Sequence, residues 1–195
     1  MPSADDTTYE IRTATPEDTG LVEALDGSFT TATIFQVETA ENGFTLRETA
    51  VDPPLTKVFP ADEDENVSAD EGDQEPQGDP TFLALAPDGT LAGFVSVAYA
   101  RWNRRLTIED IEVAPDHRGR GVGRALMSRA EEFARERGAG HIWLEVTNIN
   151  APAIHAYRRM GFALCGLDTS LYEFTASAGE YALYLSKPCR GASRD

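Results

Sequence analysis

The stretch from Leu106 to Arg137 admits few folds. Leu106 to Val113 is rich in apolar and β-forming residues and reads as a strand. Pro115 stops its pairing, and Arg118-Gly119-Arg120-Gly121-Val122-Gly123 opens the next element. Val122, Leu126, Ala130, Phe133 and Ala134 then recur at helical spacing, which predicts a helix over Val122 to Arg137 that Gly138 terminates. A strand that passes through a glycine-rich loop into an amphipathic helix requires a sheet for that helix to cover. The expected class is therefore α/β (α+β): a central mixed sheet flanked by helices.

The remaining elements agree. Tyr9 to Thr13 reads as a short strand, and Thr15-Pro16-Glu17-Asp18 as a capped helix start. Ala32 to Thr39 and Gly43 to Val51 form a hairpin pattern, and Glu41-Asn42-Gly43 between them contains the Asn-Gly pair that favours a hairpin. Thr81 to Ala86 and Leu91 to Ala100 are strands joined by Pro87-Asp88-Gly89, and Trp102-Asn103-Arg104 makes a further turn. Ile142 to Thr147 is a strand and Ala151 to Met160 a helix; Phe162 onward and Tyr181 to Leu185 complete the sheet. With 195 residues, 41% hydrophobic, one domain spanning 1–195 is expected. Asp62 to Pro80 is dominated by Asp, Glu, Gln, Gly and Pro and reads as an acidic flexible loop within that domain, either a solvated insertion or a lid.

Charge excludes some roles. A net charge of −16 repels nucleic acid and attracts cationic substrates. Lys57 and Lys187 are the only lysines, a composition that also fits a high-salt, halophilic cytoplasm. No run of about 18 apolar residues occurs, so no membrane helix is expected. The polar start Met1-Pro2-Ser3-Ala4-Asp5-Asp6 lacks the pattern of a signal peptide, which makes the cytoplasm the expected compartment. Cys165 and Cys189 read as reduced thiols, Cys165 within a core strand. His117, His141 and His155 form no ligand pattern, and no metal is expected.

Free N–H groups at a helix start bind anions, and glycines let the backbone approach them closely. Arg118, Arg120 and Arg124 add positive charge, so a pyrophosphate suits the loop, although a tight turn without ligand has the same pattern. The loop lacks the Gly-Lys-Ser/Thr ending of a P-loop and does not match the dinucleotide fingerprint Gly-x-Gly-x-x-Gly.

Arg118-x-x-Gly121-x-Gly123 after Val113-x-Pro115 resembles motif A of the GNAT superfamily of N-acetyltransferases. Asn150-x-x-Ala153-x-x-x-Tyr157-x-x-x-Gly161-Phe162 resembles its second signature. A closer resemblance is to streptothricin acetyltransferases. It is carried by Gly43-Phe44-Thr45-Leu46, by Trp102-Asn103 before Ile108-Glu109-Asp110-Ile111, by His117 to Val122, by Leu144 to Ala153, and by Gly161-Phe162 through Gly166-Leu167-Asp168.

The resemblance implies a GNAT fold, with a central mixed, mostly antiparallel sheet whose strands Leu106–Val113 and Ile142–Thr147 splay to admit acetyl-CoA. It implies backbone groups of Ile111 and Val113 on the pantetheine arm. Amides from Gly119 through Arg120, Gly121, Val122 and Gly123 to Arg124 would lie on the pyrophosphate, beside Arg118. Asn150 would bind the cofactor arm, and Tyr157 would sit near the sulfur, where it can protonate the departing thiolate. Proton removal from the attacking amine falls first to Glu109 and second to Glu145; alternation places Asp110 and Glu112 on the opposite strand face from Glu109. Trp102, Tyr172, Tyr181 and Tyr184 either line a substrate pocket or pack. The expected reaction is direct acetyl transfer in a ternary complex to a primary amine of a small cationic substrate. Two other readings stay open: a protein N-terminal or lysine acetyltransferase, and a non-catalytic acyl-CoA sensor. Many relatives dimerise, which leaves a homodimer open by analogy.

Overall fold

The computed structural model describes residues 8–58 and 79–189. The acidic stretch expected as a loop lies outside the described residues except for Asp79 and Pro80. The chain divides into two compact units, each assembled from separate segments: Met1–Gly27, Phe59–Ile142 and Pro188–Asp195 in the first, Ser28–Val58 and Trp143–Lys187 in the second.

In the first unit, β1 (Glu10–Thr13), β4 (Thr81–Leu85), β5 (Leu91–Ala100) and β6 (Arg105–Val113) are hydrogen-bonded in that order, every pair antiparallel. Helix α2 (Val122–Glu136) packs on β4, β5 and β6. All five expected apolar positions of α2 are buried, together with Met127. Phe82, Val95 and Leu106 of the strands are buried as well; Phe82 and Phe133 lie edge to face at 5.8 Å, and the Arg129 guanidinium sits 4.4 Å from the Phe82 centroid. Each large apolar side chain so enclosed contributes about 1.5–3 kcal/mol. At Gly138 (φ 69°) the chain enters the left-handed region and α2 stops.

The expected helix start at Thr15 is a 3₁₀ turn (Pro16–Asp18) followed by the short α1 (Thr19–Glu23). Asp18 binds the Arg12 guanidinium through both oxygens, at 2.7 and 2.8 Å, and accepts the Thr15 backbone N–H at 2.7 Å. Arg12 and Thr15 together hold the Asp18 carboxyl well below the usual carboxylate range.

In the second unit, β2 (Phe29–Ala40) and β3 (Gly43–Lys57) form the expected hairpin. Ala40 pairs with Gly43, so the turn is Glu41-Asn42, within the expected connection. The hairpin is longer than expected, because β3 continues through Pro53-Pro54 where the register shifts between Thr31 and Thr33. β7 (His141–Thr147) begins in the first unit, and from Trp143 onward it belongs with β9 (Ala182–Pro188) and β8 (Ala163–Asp168), in the order β7-β9-β8. Helix α3 (Ala151–Arg159) packs on β2. Cys165 lies on β8 as expected but is exposed rather than core. The register of β8 against β9 skips it, with Leu164 opposite Leu185 and Gly166 opposite Tyr184.

Candidate functional site

The β6 strand carries a bulge at the residue expected to act as base. Ser96 pairs with Asp110 and Val97 with Ile108, so Glu109 is the additional residue. Because of it, Leu106, Ile108, Ile111 and Val113 stand opposite Tyr99, Val97, Val95 and Gly93 on one face. Asp110 and Glu112, opposite Ser96 and Phe94, share the other face, as alternation expected, while Glu109 belongs to neither register.

All three carboxyls are raised. Burial raises Glu109, with the negative charge of Asp79 adding to it. Burial lifts Asp110 to about 6, opposed by a backbone hydrogen bond at Ile111. Glu112 reaches about 7 through burial first, then Asp110 and Asp26, with Arg118 opposing. A carboxylate whose proton affinity approaches neutrality is a competent proton acceptor near pH 7.

At the end of β6 the chain makes a 3₁₀ turn (Pro115–His117), then the glycine loop. Gly119 (φ 74°) and Gly121 (φ 89°) are both left-handed, which disfavours any other residue, and a Cβ at either would meet nothing within 4 Å. The first backbone bond of α2 runs from Ala125 N to Gly121 O at 3.0 Å, so the amides of Val122, Gly123 and Arg124 precede the ladder. Backbone donors ahead of the ladder, left-handed glycines and the positive end of a 15-residue helix fit a diphosphate. Arg118 has a second task. Its Nε donates to Val113 O at 2.9 Å and its Nη2 to Asp26 O at 3.4 Å, which ties the loop to the strand end.

In the second unit Asn150 caps α3, its Oδ1 accepting from Ala153 N at 3.2 Å; its Nδ2 is then the group suited to donate to a cofactor carbonyl. Tyr157 is half-buried on α3, 6.0 Å edge to face from Phe162. Glu145 on β7 accepts a short hydrogen bond from the Tyr172 hydroxyl. Trp102, by contrast, is 80% exposed at its turn.

One structural residue escaped the sequence reading. Asn148 is buried, and its side chain donates to Phe35 O at 2.8 Å and accepts from Tyr181 N at 2.8 Å. Asn148 lies two residues before Asn150 and carries no sequence mark that separates the two. Beside it, Glu180 accepts from Lys57 at 2.5 Å and from Thr147 Oγ1 at 2.6 Å, so one carboxylate joins the end of β3 to the end of β7.

In the first unit a glycine loop leads from β6 into α2, and in the second an Asn-capped helix bears Tyr157, the two features expected of an acyl-CoA-dependent transferase. Residues 45–162 match the family model for the acetyltransferase (GNAT) family, and the chain belongs to this family: it is an acetyl-CoA-dependent N-acetyltransferase. It is 60% identical to a streptothricin acetyltransferase of Streptomyces lavendulae over 97% of this chain and 100% of that protein. A crystal structure of nourseothricin acetyltransferase is 64% identical, with a TM-score of 0.85 over 94% of this chain and 99% of the other. A Bacillus anthracis structure solved in complex with acetyl coenzyme A shares the fold at 24% identity, with a TM-score of 0.73 over 93% of this chain and 99% of that one. These neighbours establish the expected GNAT fold. Among the described residues no helix is long and apolar enough to cross a membrane.

Proposed function

We propose that this enzyme acetylates a primary amine of a streptothricin-like polycationic antibiotic. The observation that carries the reading is the 60% identity to a streptothricin acetyltransferase over the whole length of that protein. The net charge of −16 suits a polycationic acceptor as well. We read the two units as one acetyltransferase domain over 1–195, since the family match spans segments of both.

When bound, acetyl-CoA supplies an activated thioester. In this reading the amides of Gly119 to Arg124 hold its pyrophosphate, and backbone groups of Ile111 and Val113 hold the pantetheine arm, with Asn150 Nδ2 adding a donor. An alkyl amine has a pKa near ~10.4, so the acceptor must lose a proton before or during attack. Glu109 takes that proton: it is partly desolvated, and its raised pKa brings it closer to neutrality. Tyr157 returns a proton to the leaving thiolate. The Val113 N–H serves the developing oxyanion as the acetyl group reacts.

The test is CoA release with streptothricin, aminoglycosides, polyamines and lysine peptides as acceptors. Turnover with streptothricin at far higher kcat/KM than with the others is the expected result. Turnover confined to peptides would replace this reading with protein acetylation.

A further inference from the structure

On the second unit, Glu145 belongs to a cluster that the transfer chemistry above does not use. β7 buries Ile142, Leu144 and Val146, and the alternate residues Trp143 and Glu145 occupy its other face, half-buried. Tyr184 of β9 stacks on Trp143, with ring centroids 4.9 Å apart and planes 29° apart. Opposite Tyr184 on β8 stands Gly166, where a Cβ would lie 3.1 Å from Tyr184 Cδ2, so the missing side chain makes room for the ring. Two residues on, Asp168 pairs with Ala182 on the same face of the ladder. Asp168 Oδ1 is fixed by the turn that follows, accepting from Ser170 N at 2.8 Å and Leu171 N at 3.1 Å. From that turn Tyr172 reaches back to donate its hydroxyl hydrogen to Glu145.

We infer that Trp143, Glu145, Asp168, Tyr172 and Tyr184 form an acceptor subsite for a guanidinium or ammonium group of the substrate other than the amine that is acetylated. The inference rests on the cationic-acceptor reading above. Aromatic faces beside carboxylates attract cations. Burial raises the Tyr184 hydroxyl, and the charges of Asp168 and Glu145 add to that. Such a site stabilises the protonated form of whatever it binds. An attacking amine must be neutral, so the site suits a cation that does not react. Glu145 then anchors the acceptor and does not accept the proton.

Asp168→Asn is the cleanest variant, because its Oδ1 still accepts from Ser170 N and Leu171 N while the charge is gone. Tyr184→Leu removes the ring and its stack on Trp143. Each is compared with wild type in calorimetric binding of streptothricin and in steady-state turnover, with thermal melts as a check on folding. The expected result is streptothricin affinity weakened about tenfold or more and a matching rise in its KM, with the KM for acetyl-CoA unchanged. Wild-type affinity and KM in both variants would overturn the subsite while leaving the acceptor reading intact. Wild-type enzyme that neither binds nor turns over streptothricin would overturn both. Glu145→Gln separates the roles: a raised streptothricin KM supports anchoring, whereas a collapse of kcat at unchanged KM would make Glu145 the base and remove it from the subsite.

Discussion

The Glu112 carboxylate lies against Gly27, where a Cβ would come within 2.2 Å of Oε1. Glycine there lets the end of β6 draw a carboxyl under the chain that leads out of α1. The consequence is a pH-dependent cost. Glu112 is raised to about 7 by burial, Asp110 and Asp26, so the folded state holds this proton more tightly than the unfolded chain. A raised carboxyl costs stability as pH climbs from the ordinary glutamate range through about 7. Glu112→Gln should therefore raise Tm at pH 8, and the gain should shrink at pH 5. After allowance for solvent screening the gain is about 1 kcal/mol, or about 2–4 °C. Thermal melts of both proteins at the two pH values decide it; an equal gain at both would mean that the charge is not the cause.

Glu109 stands where β6 departs from its register, which frees it from cross-strand pairing. Glu109→Gln should lower kcat by about 10²-fold or more and leave acetyl-CoA affinity unchanged. Because burial and Asp79 raise this carboxyl, the acid limb of wild-type kcat/KM should fall above the ordinary carboxylate range and vanish in the variant. Steady-state rates from pH 5 to 9 provide the check. An unchanged profile would move proton acceptance to another group.

At Gly121 the reason for glycine is backbone conformation. Its φ of 89° is costly for any side chain, yet a Cβ would meet nothing within 4 Å. Gly121→Glu should abolish acetyl-CoA binding, since the strain disturbs the start of α2 and the new charge opposes the pyrophosphate. Gly121→Ala, which adds the strain without the charge, should weaken binding less. Calorimetric titration with acetyl-CoA separates the two contributions, and equal affinities for both variants would discard the electrostatic part.

Much of this was legible in the chain. Leu106 and Ile108 alternate, Ile111 and Val113 alternate, and the two pairs are out of phase by one residue. Only an extra residue between them puts all four on one face, so the bulge is written in the spacing, although simple alternation passes over it. The span of α2 and its stop at Gly138 followed from periodicity and from a glycine that tolerates positive φ. The length of the hairpin did not follow, because β3 pairs on past Pro53-Pro54 to Lys57, where the local pattern of β-formers has ended. The Glu145–Tyr172 bond was equally hidden. It joins β7 to a turn 27 residues away, and no local pattern encodes that distance. Cys165 was misplaced for a similar reason: the register skips it, and a skipped residue leaves the alternation on which the core assignment depended.

Asn148 shows what a long-range polar residue contributes. Its backbone already joins two strands, donating to Tyr181 O at 2.9 Å and accepting from Phe35 N at 2.9 Å. Its side chain repeats both links in the opposite sense, to Phe35 O and from Tyr181 N. Asn148→Ala keeps the backbone pair and strands two buried partners, each costing about 1–3 kcal/mol. A Tm loss of about 5–10 °C is expected. Asn148→Asp retains the acceptor for Tyr181 N but turns a carboxylate oxygen toward the Phe35 carbonyl. At pH 7 it should be at least as damaging as alanine, and acidification should recover part of the loss, because a protonated carboxyl can again donate. Urea melts of the two variants at pH 5 and 7 test this. If aspartate matched wild type at pH 7, the donor bond to Phe35 would carry no stability, and the link between β2 and the end of β7 would rest on the backbone alone.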